Sequence, residues 1–191
     1  MSIVKNMKQI KAARVCGIDA STNSLAFAVL ENGKAVHCGE ITFRGNNIFE
    51  RLKDAKQKTR ALVEAGVLRA DYVGIESAIM VRNIQTAIGL AYIYGAIIGE
   101  LMEFNPEVHQ IAPISWQSGI GVPNLTKAEK ESIKTDFPGH SVTWYQNKGR
   151  KIRKQRILDV AREHFDIPDN SDNIGDAVGI AMHIDQTLTR R

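Results

Sequence analysis

Asn32-Gly33 is the feature that most narrows what this chain can become. The dipeptide favours the positive φ angles of a tight two-residue hairpin turn. It separates "LAFAVLE" (25–31) from "KAVHCGEITF" (34–43), two runs rich in strand formers. A shorter apolar run, "RVCGID" (14–19), precedes them, so the chain opens on three antiparallel strands. A polar, amphipathic stretch at about 46–65 reads as a helix closed by Gly66. "DYVGIE" (71–76) is a fourth strand, about 81–104 a long apolar helix, and "EVHQIA" (107–112) a fifth strand that Pro113 stops. Three antiparallel strands followed by strand–helix–strand predict an α/β fold, with a mixed five-stranded sheet flanked by helices.

Residues 113–147 are less regular. Thr126 and Glu129 make a capping box for a helix of about ten residues, and "FPGHS" reads as a turn. Two helices, about 148–165 and 172–188, finish the chain. No repeat or Ser/Gly linker interrupts it, and 191 residues suit one domain. The expectation is a single domain over 1–191, with 1–13 a flexible arm and 121–147 an inserted segment. The N-terminus is basic but lacks the apolar core of a signal peptide. Cys16 and Cys38 fall in strands and read as buried small side chains, which fits a reducing, cytoplasmic setting. The most apolar stretch, Ile84 to Ile98, falls short of the roughly 20 residues of a membrane span. It is expected as a buried helix, with no membrane partner.

The acids carry the chemistry. Asp19 ends the first strand, Glu76 ends the fourth, and Asp172 and Asp176 share one face at the head of the last helix. Each has an ordinary reading: a turn cap with Ser21 and Thr22, a surface acid, an N-cap in a favourable dipole. Strands 1 and 4 as parallel neighbours, with the last helix beside them, would gather all four at one point. Such a cluster is costly unless cations neutralise it, and hard oxygen ligands suit Mg²⁺ or Mn²⁺. Two such ions roughly 4 Å apart serve phosphodiester hydrolysis. The net charge is only +4, so a polyanion must be met locally. "KGRKIRKQR" (148–156) offers six basic residues in nine. Lys148, Arg150, Lys151 and Arg153 are candidate phosphate contacts, and Lys154, beside Ile157, is expected to face the acids. Arg82 and Asn83, just after Glu76, are candidates to hold a second backbone segment of such a polyanion. Trp144 and Tyr145 read either as base-stacking platforms or as anchors of a small subdomain.

"GIDAS", "IESAIMVRNIQTAIGLAYIYGAIIGEL", and "KQRILDVAREHF" followed by "DNIGDAVGIA" together resemble the RuvC-type Holliday junction resolvases of the RNase H-like superfamily. The resemblance covers most of the chain in order. It implies an RNase H-like sheet and a homodimer that cuts four-way DNA junctions symmetrically with Mg²⁺, Mn²⁺ being able to substitute. It puts metal-binding acids at Asp19, Glu76, Asp172 and Asp176, a supporting lysine at Lys154, and dimer contacts on the helix after Glu76. Two departures stand out. The family's last-helix pattern is Asp-x-x-Asp, whereas here Asn173 lies three residues before Asp176 and Asp172 lies four before. The 121–147 segment is also longer than in compact bacterial members, as suits a phage or mobile-element version. Competing readings are a broader flap or fork nuclease, a non-catalytic junction binder, and, more remotely, an ATP-binding domain of the actin and sugar-kinase type. The last also opens on an acid-bearing strand followed by Ser/Thr, but has a second glycine-rich loop that this chain lacks.

Overall fold

The computed structural model describes residues 13–77, 83–168 and 171–189. β1 (Arg14–Ala20), β2 (Ser24–Glu31) and β3 (Lys34–Thr42) form the expected meander. Asn32 (φ 53°) and Gly33 (φ 74°) both take left-handed angles at its turn, as a primed hairpin requires. Asn47 caps α1 (Ile48–Glu64) by accepting from the backbone N–H groups of Phe49 and Glu50. β4 (Tyr72–Glu76), α2 (Ile84–Met102) and β5 (Glu107–Ile111) follow. The strand order is β3-β2-β1-β4-β5, with β1 antiparallel to β2 but parallel to β4, and β5 parallel to β4. This is the mixed sheet the sequence predicts.

The second half departs from expectation at its boundaries. Pro113 ends the fifth strand but also opens α3 (Pro113–Gly119), where its missing N–H costs no helical hydrogen bond. α4 (Lys127–Asp136) has the ten residues and the Thr126–Glu129 capping box read from the sequence. α5 (Val142–Arg162) starts at 142 rather than 148, because Ser141 caps it by accepting from the Trp144 N–H. Trp144 stacks on His140 at 3.9 Å, and the Tyr145 hydroxyl donates to the Phe137 carbonyl at 2.7 Å. Both aromatics thus brace the α4–α5 turn. α6 (Asp172–Ile184) passes into a π-helical turn at Asp185–Thr189.

β1 is covered on both faces, so its side chains alternate between two cores. Cys16 and Ile18 meet Ala55 and Val63 of α1 and Ile93 and Ile97 of α2. Val15 joins Ile157 and Ala161 of α5 and Val178 and Ile180 of α6. On that second face Gly17 and Gly74 lie under α6. A Cβ at Gly17 would collide with the backbone of Ala177 and Ala181, and one at Gly74 would come 2.8 Å from Ile180 and Ile184. Bare backbone on two adjacent strands therefore sets how closely α6 sits, and with it the height of Asp172 and Asp176.

Cys16 is buried and Cys38 half-buried; both are free thiols, and burial pushes the Cys16 thiol up to about 12. The expectation of a buried α2 holds for one face only. Its inner face (Gly89, Ile93, Ile97, Leu101) is buried, but Ile84, Ile88, Tyr92 and Met102 on other faces are exposed. At 19 residues it is also longer than the stretch that looked too short for a span, and it is long and apolar enough to cross a membrane by length and composition alone. Its inner side is fastened to α1 by Arg60, which donates to both carboxylate oxygens of the buried Glu100 at 2.7 and 3.1 Å.

Candidate active site

The sheet brings three acids onto one cross-strand row. Asp19 on β1 pairs with Ala26 on β2, which pairs with Glu40 on β3. On the other side Ile18 pairs with Ile75, so Glu76 stands one step on, beside Asp19. Ala26, fully buried, puts only a methyl group between Asp19 and Glu40. α6 crosses this face and contributes Asp172 in its first turn and Asp176 four residues later.

Lys154 lies against both paired aspartates. Its Nζ is 3.3 Å from Asp172 Oδ2 and 3.8 Å from Asp176 Oδ2. One ammonium does not balance the cluster. Burial, then the neighbouring Glu76, raises Asp19 to about 7, with Glu40 adding to the repulsion and Lys154 opposing it. Burial and the Asp19 charge likewise raise Asp176 to about 7. Glu76 is also raised by burial, against the pull of Trp116, Lys154 and Arg153. Desolvated carboxylates this close hold protons that water-exposed ones would release.

Two participants escape the sequence reading. The fully buried Trp116 on α3 donates from Nε1 to Glu76 Oε2 at 2.8 Å. Its ring lies against Gly179, where a Cβ would come to 2.5 Å. Pro113 was read as an ending, so nothing flagged the helix that carries this tryptophan. A buried indole N–H nevertheless needs a partner. Glu40, which nothing in its strand singles out, accepts at 2.8 Å from the side-chain amide of Asn173. Asn173, the departure from Asp-x-x-Asp, thus ties the head of α6 to β3.

The basic run divides by direction. Lys154 faces the acids, Arg153 donates to Asn124 and its charge acts on Glu76, and Lys148 lies 4.7 Å over the Phe137 ring. Arg150 and Lys151 are exposed. Asn83 caps α2, accepting from the N–H groups of Gln85 and Thr86 at 2.8 and 3.4 Å. Arg82, its proposed companion, lies outside the described residues.

The donors that could hold a metal are all carboxylate oxygens, the set a hard divalent cation prefers. Two of them, Asp19 and Asp176, are largely withdrawn from water with charge that Lys154 alone does not offset, so the donor set suits such an ion. Among the described residues no three acids, histidines or cysteines stand together as a ready-made metal site; Asp172 and Asp176 lie toward Lys154 instead.

This sheet, with acids at the ends of β1 and β4 and at the head of an overlying helix, defines the RNase H-like class of nuclease folds. The chain belongs to the crossover junction endodeoxyribonuclease RuvC family, whose pattern it matches over residues 15–135. Lys154, Asp172 and Asp176 fall beyond the matched stretch. Among solved structures it is similar to T. thermophilus RuvC in complex with a Holliday junction substrate, at TM-score 0.65 and 13% identity over 92% of this chain and 97% of that one. A second Thermus thermophilus RuvC structure gives TM-score 0.61 and 14% identity, covering 89% and 92%. At these identities the likeness is one of fold, and it extends over the segment beyond residue 135. No curated protein sequence matches the chain.

Proposed function

We propose that this protein is an endonuclease that resolves four-way DNA junctions by hydrolysing one phosphodiester in each of two opposed strands. The observation that carries the reading is the Asp19–Glu76–Asp176 group with Lys154 against it, in a chain of the RuvC family. Asp19, Glu76, Asp172 and Asp176 would hold Mg²⁺, or Mn²⁺ in its place, as two ions per site. Bound there, the metal would neutralise phosphate charge and lower the pKa of water for attack on phosphorus.

The chain's own residues do the rest. Trp116 fixes one carboxylate oxygen of Glu76 and leaves the other free to turn toward the row. Lys154 holds Asp172 and Asp176 while the site is empty of substrate, and on a phosphate it becomes the donor that meets charge on the leaving oxygen. Arg150 and Lys151, exposed along α5, contact the approaching backbone. Two active sites in one complex require two copies of the chain. The exposed apolar residues of α2 (Ile84, Ile88, Tyr92) supply a surface for that pairing.

The test is incubation of purified protein with a synthetic four-way junction and Mg²⁺. Paired nicks at symmetric positions are expected. Equal cutting of forks, flaps and junctions would move the activity to a broader branched-DNA nuclease, and tight binding without cutting would make the protein an architectural binder.

A further inference from the structure

Between α4 and the first half of α5 lies a cleft of about 570 Å³. Lys127, Lys130, Lys134, Arg150 and Arg153 line it, against the single acid Glu131, which Lys134 already holds at 2.8 Å. The floor is apolar: Leu125 and Ile133 are buried there, and the exposed Val142 and half-buried Tyr145 stand at its edge. Gly149 stands where a Cβ would come 3.0 Å from Leu125, so its bare backbone lets α5 sit down on this floor. Arg153 ties the cleft to the acid row. Arg153 belongs to the lining and its charge acts on Glu76, while the next residue, Lys154, contacts Asp172 and Asp176.

Cations above an apolar floor suit a ligand that presents phosphates and unstacked bases together. A duplex presents phosphates but keeps its base faces stacked on one another. The volume falls within the roughly 300–1,000 Å³ of small-ligand pockets, which fits single-strand units rather than a double helix. We propose that this cleft receives nucleotides unpaired at the branch point beside the scissile phosphate, with the α4 lysines on their phosphates and the apolar floor beneath a base. The inference rests on the junction-nuclease reading and gives the 121–147 segment a task within it.

The experiment compares wild type with Lys127→Gln/Lys130→Gln/Lys134→Gln, three exposed positions whose replacement leaves the core intact, as circular dichroism would verify. Binding of a short oligothymidine and of a linear duplex is measured by fluorescence anisotropy across a salt series without divalent metal. The variant should lose about tenfold in oligothymidine affinity, and its salt slope should fall by about 2, from three contacts at about 0.7 each. Duplex affinity should change far less. Val142→Glu, at a highly exposed position, should lower oligothymidine affinity without touching a lysine. Unchanged oligothymidine binding in both variants, or equal losses on duplex and single strand, would overturn the assignment. A wild type that cuts junctions while the variants bind single strands normally would sink the cleft and spare the nuclease. A wild type that holds oligothymidine in the cleft but never cuts junctions would do the reverse.

Discussion

Asp176 sits where folding and chemistry pull in opposite directions. Its folded pKa of about 7, like that of Asp19, lies above the unfolded value near 4. Between those limits the folded state binds more protons than the unfolded one, so these groups make stability fall as pH rises from about 4 to about 7. Above that window the folded protein must bury repelling charges. Asp176→Asn should therefore stabilise the metal-free protein at about pH 8 by on the order of 2 kcal/mol, with the gain shrinking toward about pH 5. Thermal melts at the two pH values check this, and the same variant should show no cleavage. A variant that melts lower than wild type at the higher pH would contradict the burial argument. Asn173 and Glu40 give a second residue-scale test. Glu40→Gln keeps an acceptor for the Asn173 amide, whereas Asn173→Asp sets two like charges face to face. The first should cut DNA nearly as well as wild type, and the second should lose activity while still folding. Equal activity in both would make the bond incidental to the site. Asp19, Glu76 and Asp176 were legible in the sequence because strand ends and helix heads are places where ligands gather. Glu40 was not, because its role depends on β2 lying between β3 and β1 with a small residue at Ala26.

At the scale of elements, the position of α6 on the sheet matters most. Gly17 and Gly74 admit the helix to contact with the strands, so Gly17→Ala forces a methyl group into the Ala177 and Ala181 backbone. Overpacking costs about 1–3 kcal/mol when side chains can yield, and backbone yields less readily. The expected result is a Tm well below wild type together with lost activity, since Asp172 and Asp176 move with the helix. A melt within a degree of wild type would show that α6 rides higher than described. On α5, replacing Arg150 and Lys151 with Gln should weaken duplex binding and reduce its salt slope by about 2; an unchanged slope would return both residues to the solvated face. Helix boundaries were the least legible part of the sequence. The period of apolar residues located α5 from 148 onward but not its first turn, where Ser141 and the aromatic cluster hold a stretch without apolar periodicity. The α4 capping box was readable because both of its bonds are local.

For the molecule as a whole, sheet order was predictable from the hairpin signal and the parallel strand–helix–strand unit. What covers α2 was not, because periodicity marks a buried face without telling core from partner. The exposed Ile84, Ile88 and Tyr92 predict self-association. Ile88→Glu should shift the protein from dimer to monomer in sedimentation analysis and abolish paired nicking, while a wild type that sediments as a monomer would remove the basis for symmetric cutting. The central claim is that the acid row and Lys154 form a junction-cleaving centre. Its most direct test follows both strands of one four-way junction, separately end-labelled, through a single incubation with Mg²⁺ and either wild type or Asp176→Asn. The account predicts nicks at symmetry-related positions in two opposed strands with wild type and none with the variant, at similar junction affinity. Cutting that survives Asp176→Asn, or that falls equally on a linear duplex, would contradict it.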